Sequence, residues 1–264
     1  QNKIQVWGDG EQTRSFMFID DCLAGTKTLF SKEHTEPFNI GSEEQVSIII
    51  VHHNNPEYLN ICIQSLHIMS NMNNYEVIIV DNNSDQETQD YLDELEADGI
   101  KVVRNKENLW WSGACNAGVA AADPNSKYYV FLHQDVVVLN TGWLDLLINV
   151  SVSQGSGLVG IEMGSYSVED NRVDFIQEWC CLMTKECWAD CGPWPEELPI
   201  VGHCFIISMR AQVKGYKPQC MKNPVLHHYK AFSMDPTDYE RMSEDAMVVI
   251  PKLMREAQGG LYAV

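Results

Sequence analysis

Long apolar runs, basic charge and low-complexity tracts are all scarce in this sequence, and each scarcity removes a class of function. No window approaches the roughly 18 consecutive apolar residues of a membrane span. The apolar run from Val46 to Val51 has only the length of a strand. Just 18 Lys and Arg stand against 37 Asp and Glu, a net charge of -19. Sequence-independent binding to nucleic acid or anionic lipid needs clustered cations, so neither is an expected partner. With 45% hydrophobic and 21% charged residues and no biased tract, the composition is that of a folded soluble protein. No signal-peptide pattern opens the chain, which starts at Gln1 and reads as an excised or incomplete reading frame. The nine cysteines are odd in number and irregular in spacing, with Cys180 and Cys181 adjacent. That pattern predicts reduced thiols in the cytoplasm and not a disulfide framework. A length of 264 residues suffices for one large domain, or one domain plus a fragment.

What is present from Val46 to Asn140 is an alternation of short β-branched runs with helical periodicities, the signature of βαβ units around a parallel sheet. Strands are predicted at Val46 to His52, Tyr75 to Val80, Ile100 to Val103 and Tyr128 to Leu132. Helices are predicted from Pro56, over Gln86 to Ala97 and over Gly113 to Ala122. Asn55 is an N-cap type and Pro56 suits the first helical position, with Leu59, Ile63, Leu66 and Met69 following at helical spacing. The expected class is therefore α/β, an open, mostly parallel sheet flanked by helices. In such sheets ligands bind beyond the carboxyl ends of the strands. Asp81, Asn108 and Asp135, each just past a strand, are expected to gather on one edge.

The first 45 residues have another character. The stretch WGDGEQTRSFMFIDDCLAG, Trp7 to Gly25, and PFNIGS, Pro37 to Ser42, resemble the sugar-binding end of extended short-chain dehydrogenases, nucleotide-sugar epimerases in particular. The resemblance implies that Arg14 descends from a residue contacting a substrate diphosphate. No Gly-rich dinucleotide loop and no catalytic Tyr and Lys pair accompany it. Residues 1–45 are thus read as a truncated epimerase-like appendage, and 46–264 as the working domain.

From Val46 the motifs VSIIIVHHN, EVIIVDNNSD, NLWWSGACNAG and YYVFLHQDVVV resemble, in that order, the family 2 glycosyltransferases of the glycosyltransferase A fold. The resemblance implies inverting, metal-dependent transfer of a sugar from a nucleotide-diphosphate sugar, here with a saccharide as the expected acceptor. In its terms His53 and Asn54, after the first strand, and Asp81, Ser84 and Asp85, after the second, line the nucleotide. Asp81 would read the base or ribose, since a carboxylate accepts two bonds at once; an ordinary Asx-turn is the other reading of these residues. Asn108, Trp110 and Asn116 belong to the amide-containing, small-residue loop that enters a helix. Trp110 stands where the family often has glycine, and either narrows the pocket or offers a stacking face.

His133, Gln134 and Asp135 stand where the resemblance puts an Asp-x-Asp metal motif, with histidine in the first place. Asp135 is expected to ligate Mn²⁺ or Mg²⁺, Gln134 to face the nucleotide sugar, and His133 to ligate the metal or bond a phosphate. Only ligation by His133 would favour Mn²⁺. An acidic protein has particular need of a cation beside a bound diphosphate. Further on, His227 and His228 match a histidine that completes the metal sphere in several relatives. Neighbours on an extended segment point oppositely, and His228 is the one expected to reach the site.

Inverting transfer also needs a base for the acceptor hydroxyl, which the resemblance puts at an Asp just before a helix ending in Arg. Counting back from Arg210 in GHCFIISMRAQVKGYK, the acidic pair falls on His203 and Cys204. The base is then His203 itself, Glu196 or Glu197 in PWPEELP, or Glu244 or Asp245 near the C-terminus. A neutral Cys204 thiol is a poor base, so turnover is expected to be weak and Cys204→Asp to raise it. Trp179, Trp188 and Trp194 are read either as an acceptor platform or as core. The rival function is a non-catalytic nucleotide-sugar-binding domain that kept Asp81 and Asp135 but lost its base. Nucleotidyl transfer is disfavoured by the absence of a Gly-rich triphosphate loop.

Overall fold

The computed structural model of the chain describes residues 45–69, 75–168, 171–221, 226–230 and 236–262. Arg14 and the epimerase-like segment before Gln45 lie outside them. In chain order, β1 (Val46–His52), α1 (Pro56–Met69), β2 (Tyr75–Asp81), α2 (Gln86–Ala97), β3 (Lys101–Arg104), α3 (Trp110–Ala121) and β4 (Tyr128–His133) alternate as the sequence predicts. There follow β5 (Val136–Val138), α4 (Trp143–Gln154), β6 (Leu158–Gly160) and the hairpin of β7 (Met163–Val168) with β8 (Asn171–Ile176). Then come β9 (Cys180–Thr184), α5 (Lys185–Cys191), α6 (His203–Val213), β10 (Gln219–Cys220), β11 (Leu226–His228) and α7 (Pro236–Tyr262).

The main sheet has seven strands in the order β10-β6-β9-β4-β1-β2-β3. Only β9 runs against the others, pairing antiparallel with both β4 and β6. Between β4 and β2 lies β1, whose Val46, Ile48, Ile49 and Ile50 are completely buried. Successive residues of a strand face opposite ways. Ile48 and Ile50 accordingly pack with α1, α2 and α4, while Ile49 packs with α3, α5 and α6. Both faces are covered, which is why β1 reads as a continuous apolar run. Gly118 lets α3 lie directly on this sheet: a Cβ there would sit 2.4 Å from Cγ2 of Ile49.

Boundaries differ from the predicted ones where polar residues end an element. Ladder pairing carries β2 on to Asp81 and β4 on to His133, opposite His52 and Val51 of β1. The third helix starts at Trp110 and not at Gly113, and Trp110 takes a φ of 56°. Asn55 has a φ of 55°, outside the extended conformation usual for an N-cap. The eight cysteines among the described residues are all free, as expected for reduced thiols. Among the described residues no helix is long and apolar enough to cross a membrane.

Candidate functional site

The turn between β4 and β5 consists of Gln134 and Asp135, so the strand edge delivers His133, Gln134 and Asp135 in succession. A short antiparallel pairing of β11 with β5 sets His228 opposite Val136, and Tyr229 N–H donates to the Asp135 carbonyl at 3.0 Å. His228 Nε2 thereby comes to 3.2 Å from Asp135 Oδ1. His133 Nδ1 lies 3.9 Å from the same oxygen. One donor atom from each of the three residues falls within 4.8 Å of the others. The His228 ring stacks on Trp179 (5.1 Å, 12°), and the His133 ring packs on Trp111 at 4.5 Å. His227 is exposed, as the alternation of an extended segment requires. Loss of hydration around the His133 ring, countered in part by the Glu178 and Asp135 carboxylates, pushes its pKa down to about 4. The imidazole is therefore neutral at neutral pH, with a lone pair to share. Two imidazoles and a carboxylate form a donor set that fits a divalent transition metal.

Beside this cluster, the loops after β1 and β2 are tied into one wall. His53 N–H donates to Gln134 Oε1 at 2.9 Å, and His53 Nδ1 meets the Asn82 carbonyl at 3.0 Å. Asn54 N–H donates to Ser84 Oγ, and Asn54 Oδ1 accepts from Asp85 N–H. Asp81 is fully buried. Its carboxylate accepts from Ser84 Oγ at 2.5 Å, from Gln89 Nε2 at 2.6 Å and from Ser84 N–H at 3.3 Å, and so braces the turn after β2. Asp85 caps α2 by accepting from Thr88 N–H. Asn82, which sequence reasoning passed over, is the knot of this wall: its Nδ2 donates to the Trp110 carbonyl, and its Oδ1 accepts from Asn105 and from Leu109 N–H. Asn108 Oδ1 accepts from Trp110 N–H and shapes the entry to α3.

Asn116 is spent differently from the expectation. Its Nδ2 donates to the Trp194 carbonyl and to Glu196 Oε1, and its Oδ1 accepts from Trp194 N–H. An amide can both donate and accept, and this one is consumed in holding the 194–196 loop to α3. Glu196 is thereby engaged, and Glu197 is exposed. The three tryptophans form no common platform. Trp194 is 1% exposed and packs on Phe131 and His203, Trp188 packs on Tyr129 and Phe131, and Trp179 lies against His228.

His203 and Cys204 open α6, and both are buried. Burial lowers the His203 pKa against the opposing pull of Glu178, and burial together with Glu178 holds the Cys204 thiol well above its ordinary value. Glu178 was not anticipated. Its Oε2 lies 4.0 Å from His203 Nε2, and a carboxylate oxygen lies within 4.8 Å of the Cys204 thiol. Burial alone would raise its pKa, but the imidazoles of His203 and His133 and the hydrogen bonds it accepts hold it below the ordinary carboxylate value. Because β9 is antiparallel to β4, its beginning lies at the edge where β4 ends, and that brings Glu178 and Trp179 to the site. A lone acid before an apolar strand carries no sign of that reversal.

Three comparisons bear on this arrangement. The solved mannosyltransferase PcManGT from Pyrobaculum calidifontis, in complex with GDP-Man and Mn2+, superposes with a TM-score of 0.61 at 13% identity, covering 90% of this chain and 76% of that one. The O-antigen biosynthesis protein RfbC of Myxococcus xanthus is 21% identical in an alignment of 224 positions that covers 72% of this chain and 18% of that protein. GDP-mannose 3,5-epimerase of Arabidopsis thaliana is 51% identical, but over 47 residues only, 18% of this chain and 12% of the epimerase. The chain thus spans a small part of the length of either curated relative. The likeness to PcManGT supports the glycosyltransferase A architecture of a mixed, mostly parallel sheet between helices. The description "Glycosyl transferase family 2" matches residues 47–189, from β1 through the metal-type turn to α5, and the chain belongs to that family.

Proposed function

We propose that residues 46–264 transfer a sugar, with inversion, from a nucleotide-diphosphate sugar to a saccharide acceptor, with a divalent cation held by His133, Asp135 and His228. The observation that carries this reading is the convergence of those three side chains, from two separate segments, within 4.8 Å at the end of β4. Imidazole donors suit Mn²⁺ better than Mg²⁺, which prefers oxygen. Bound there, the cation would supply Lewis-acid stabilisation of the departing diphosphate. The neutral His133 ring would share in holding it, with Asp135 and His228, without itself adding charge to a strongly acidic chain. Asp81, Ser84, Asp85, His53, Asn54, Asn108 and Trp110 would bound the nucleotide, with Gln134 bracing the β1 loop. The GDP-Man and Mn2+ in the PcManGT structure support the donor class and the metal. Free thiols and a nucleotide-sugar donor suit the cytoplasm, and the likeness to an O-antigen biosynthesis protein suits polysaccharide assembly. Residues 1–45 take no part in this reading and are proposed to be an epimerase-like appendage to the domain.

The test is a screen of GDP- and UDP-sugars for release of nucleoside diphosphate, with and without Mn²⁺ and saccharide acceptors. Mn²⁺-dependent release, stimulated by an acceptor, is expected. Release no greater than in the metal-free control would refute transfer. The burial of His203 and Cys204 favours one rival, a non-catalytic binder, which would take up donor with Mn²⁺ and leave it intact.

A further inference from the structure

We propose that Glu178 is the general base of the transfer, accepting the proton of the acceptor hydroxyl; this rests on the glycosyltransferase reading above. The helix-opening pair to which the family resemblance assigns the acid is His203 and Cys204, and both are buried. The His203 side chain is 1% exposed, whereas that of its partner Glu178, 4.0 Å away, keeps 22% of its surface accessible. The carboxylate is thus the accessible member of the pair, facing the start of α6 from the turn that precedes β9.

Position relative to the metal-type cluster supports the assignment. Trp111 contacts the rings of both His133 (4.5 Å) and His203 (6.4 Å), so the two clusters flank one indole. The backbone that carries Glu178 is pinned on the same side. His133 N–H donates to the Trp179 carbonyl at 3.0 Å, Trp179 Nε1 donates to Glu162 at 2.8 Å, and the Trp179 ring stacks on His228. The other acids considered are engaged or exposed: Glu196 accepts from Asn116, and Glu197, Glu244 and Asp245 are exposed.

In the step, the acceptor oxygen bonds to the anomeric carbon as the bond from that carbon to the diphosphate oxygen breaks. The leaving oxygen keeps the electron pair, the hydroxyl proton passes to a Glu178 oxygen, and nothing is oxidised or reduced. His203, 4.0 Å away, and the Cys204 thiol flank the carboxylate.

The experiment compares wild type with Glu178→Gln and Glu178→Asp, using the donor the wild type turns over. It measures kcat at saturating donor and, by calorimetry, the Kd of the matching GDP or UDP with Mn²⁺. Loss of general-base assistance costs about a hundredfold to ten-thousandfold, so kcat of Glu178→Gln should fall by that factor with Kd unchanged. Glu178→Asp, with a retracted carboxylate, should fall between the two. A Gln variant that keeps its kcat overturns the base while leaving the transfer reading intact. Equal losses in kcat and nucleotide affinity for both variants would mark a structural carboxylate and overturn it as well. A wild type without turnover overturns the transfer reading, and the base with it. Because Glu178, His203 and Cys204 also offer donor atoms within 4.8 Å of one another, the metal content of purified protein is read too. One equivalent of zinc, released by Cys204→Ser, would make the trio a metal site and exclude the base.

Discussion

Replacing Cys204 by Asp discriminates between two accounts of the catalytic acid. Motif counting alone expects Cys204→Asp to restore a missing base and raise turnover. The structure argues against that expectation, because the Cys204 thiol is 8% exposed and already lies beside a carboxylate, Glu178. An Asp in its place would set a second negative charge within the 4.8 Å that spans this cluster. Two like charges at that separation repel by about 3.5 kcal/mol at an effective dielectric near 20. For a domain of this size such a loss corresponds to a melting temperature lower by about 10 °C. The sign with pH follows from linkage. Repulsion and burial would raise the folded-state pKa of the new carboxyl above its unfolded value of about 3.9. The penalty is then full near neutral pH and is relieved as pH falls through the raised pKa, where the proton is taken up. Thermal melts of wild type and variant from pH 5 to 8 would show the gap widening upward. The double variant Glu178→Gln with Cys204→Asp removes the repulsion and should regain most of the loss. A single variant that melts with the wild type at pH 7, or that turns over faster, would refute the reasoning.

Other expectations follow from single contacts. Asp135→Ala removes the acid shared by His133 and His228, and should weaken Mn²⁺-dependent nucleoside-diphosphate binding about tenfold to a hundredfold, the usual worth of a charge-assisted contact. Calorimetry reads it, and unchanged affinity would remove Asp135 from the site. Gly118→Ala puts a methyl 2.4 Å from Ile49 Cγ2 and should cost about 1–3 kcal/mol in denaturant unfolding, with nucleotide affinity unaffected once folded. An unshifted midpoint would show that α3 moves off the sheet freely. Deleting residues 1–44 should leave metal-dependent nucleotide binding intact, since β1 begins at Val46 and is held by β2 and β4. An insoluble or non-binding product would mean that the segment belongs to the domain.

The parallel half of the sheet is legible in the sequence because β1, β2 and β4 are buried on both faces and so appear as unbroken apolar runs. Asp81 and Asp135 are legible because each closes such a run. His228 is legible only through the family resemblance. Its arrival at Asp135 depends on the three-residue pairing of β11 with β5, too short and too distant to leave a pattern. The reversal of β9 is equally silent, and with it the place of Glu178. Asn116 misleads for a different reason: an amide beside small residues suits a ligand and a neighbouring loop equally well, and here the loop takes it. The φ of 56° at Trp110 gives a physical reason why glycine would be at home in that position.

The central claim is that His133, Asp135 and His228 hold the cation that serves a nucleotide-sugar donor. Crystals of the intact chain grown with Mn²⁺ and GDP or UDP, measured at a wavelength where manganese scatters anomalously, test it most directly. The account expects one strong anomalous peak in contact with all three side chains and with the diphosphate oxygens. A peak among Glu178, His203 and Cys204 instead, or nucleotide bound with no manganese beside Asp135, would contradict it.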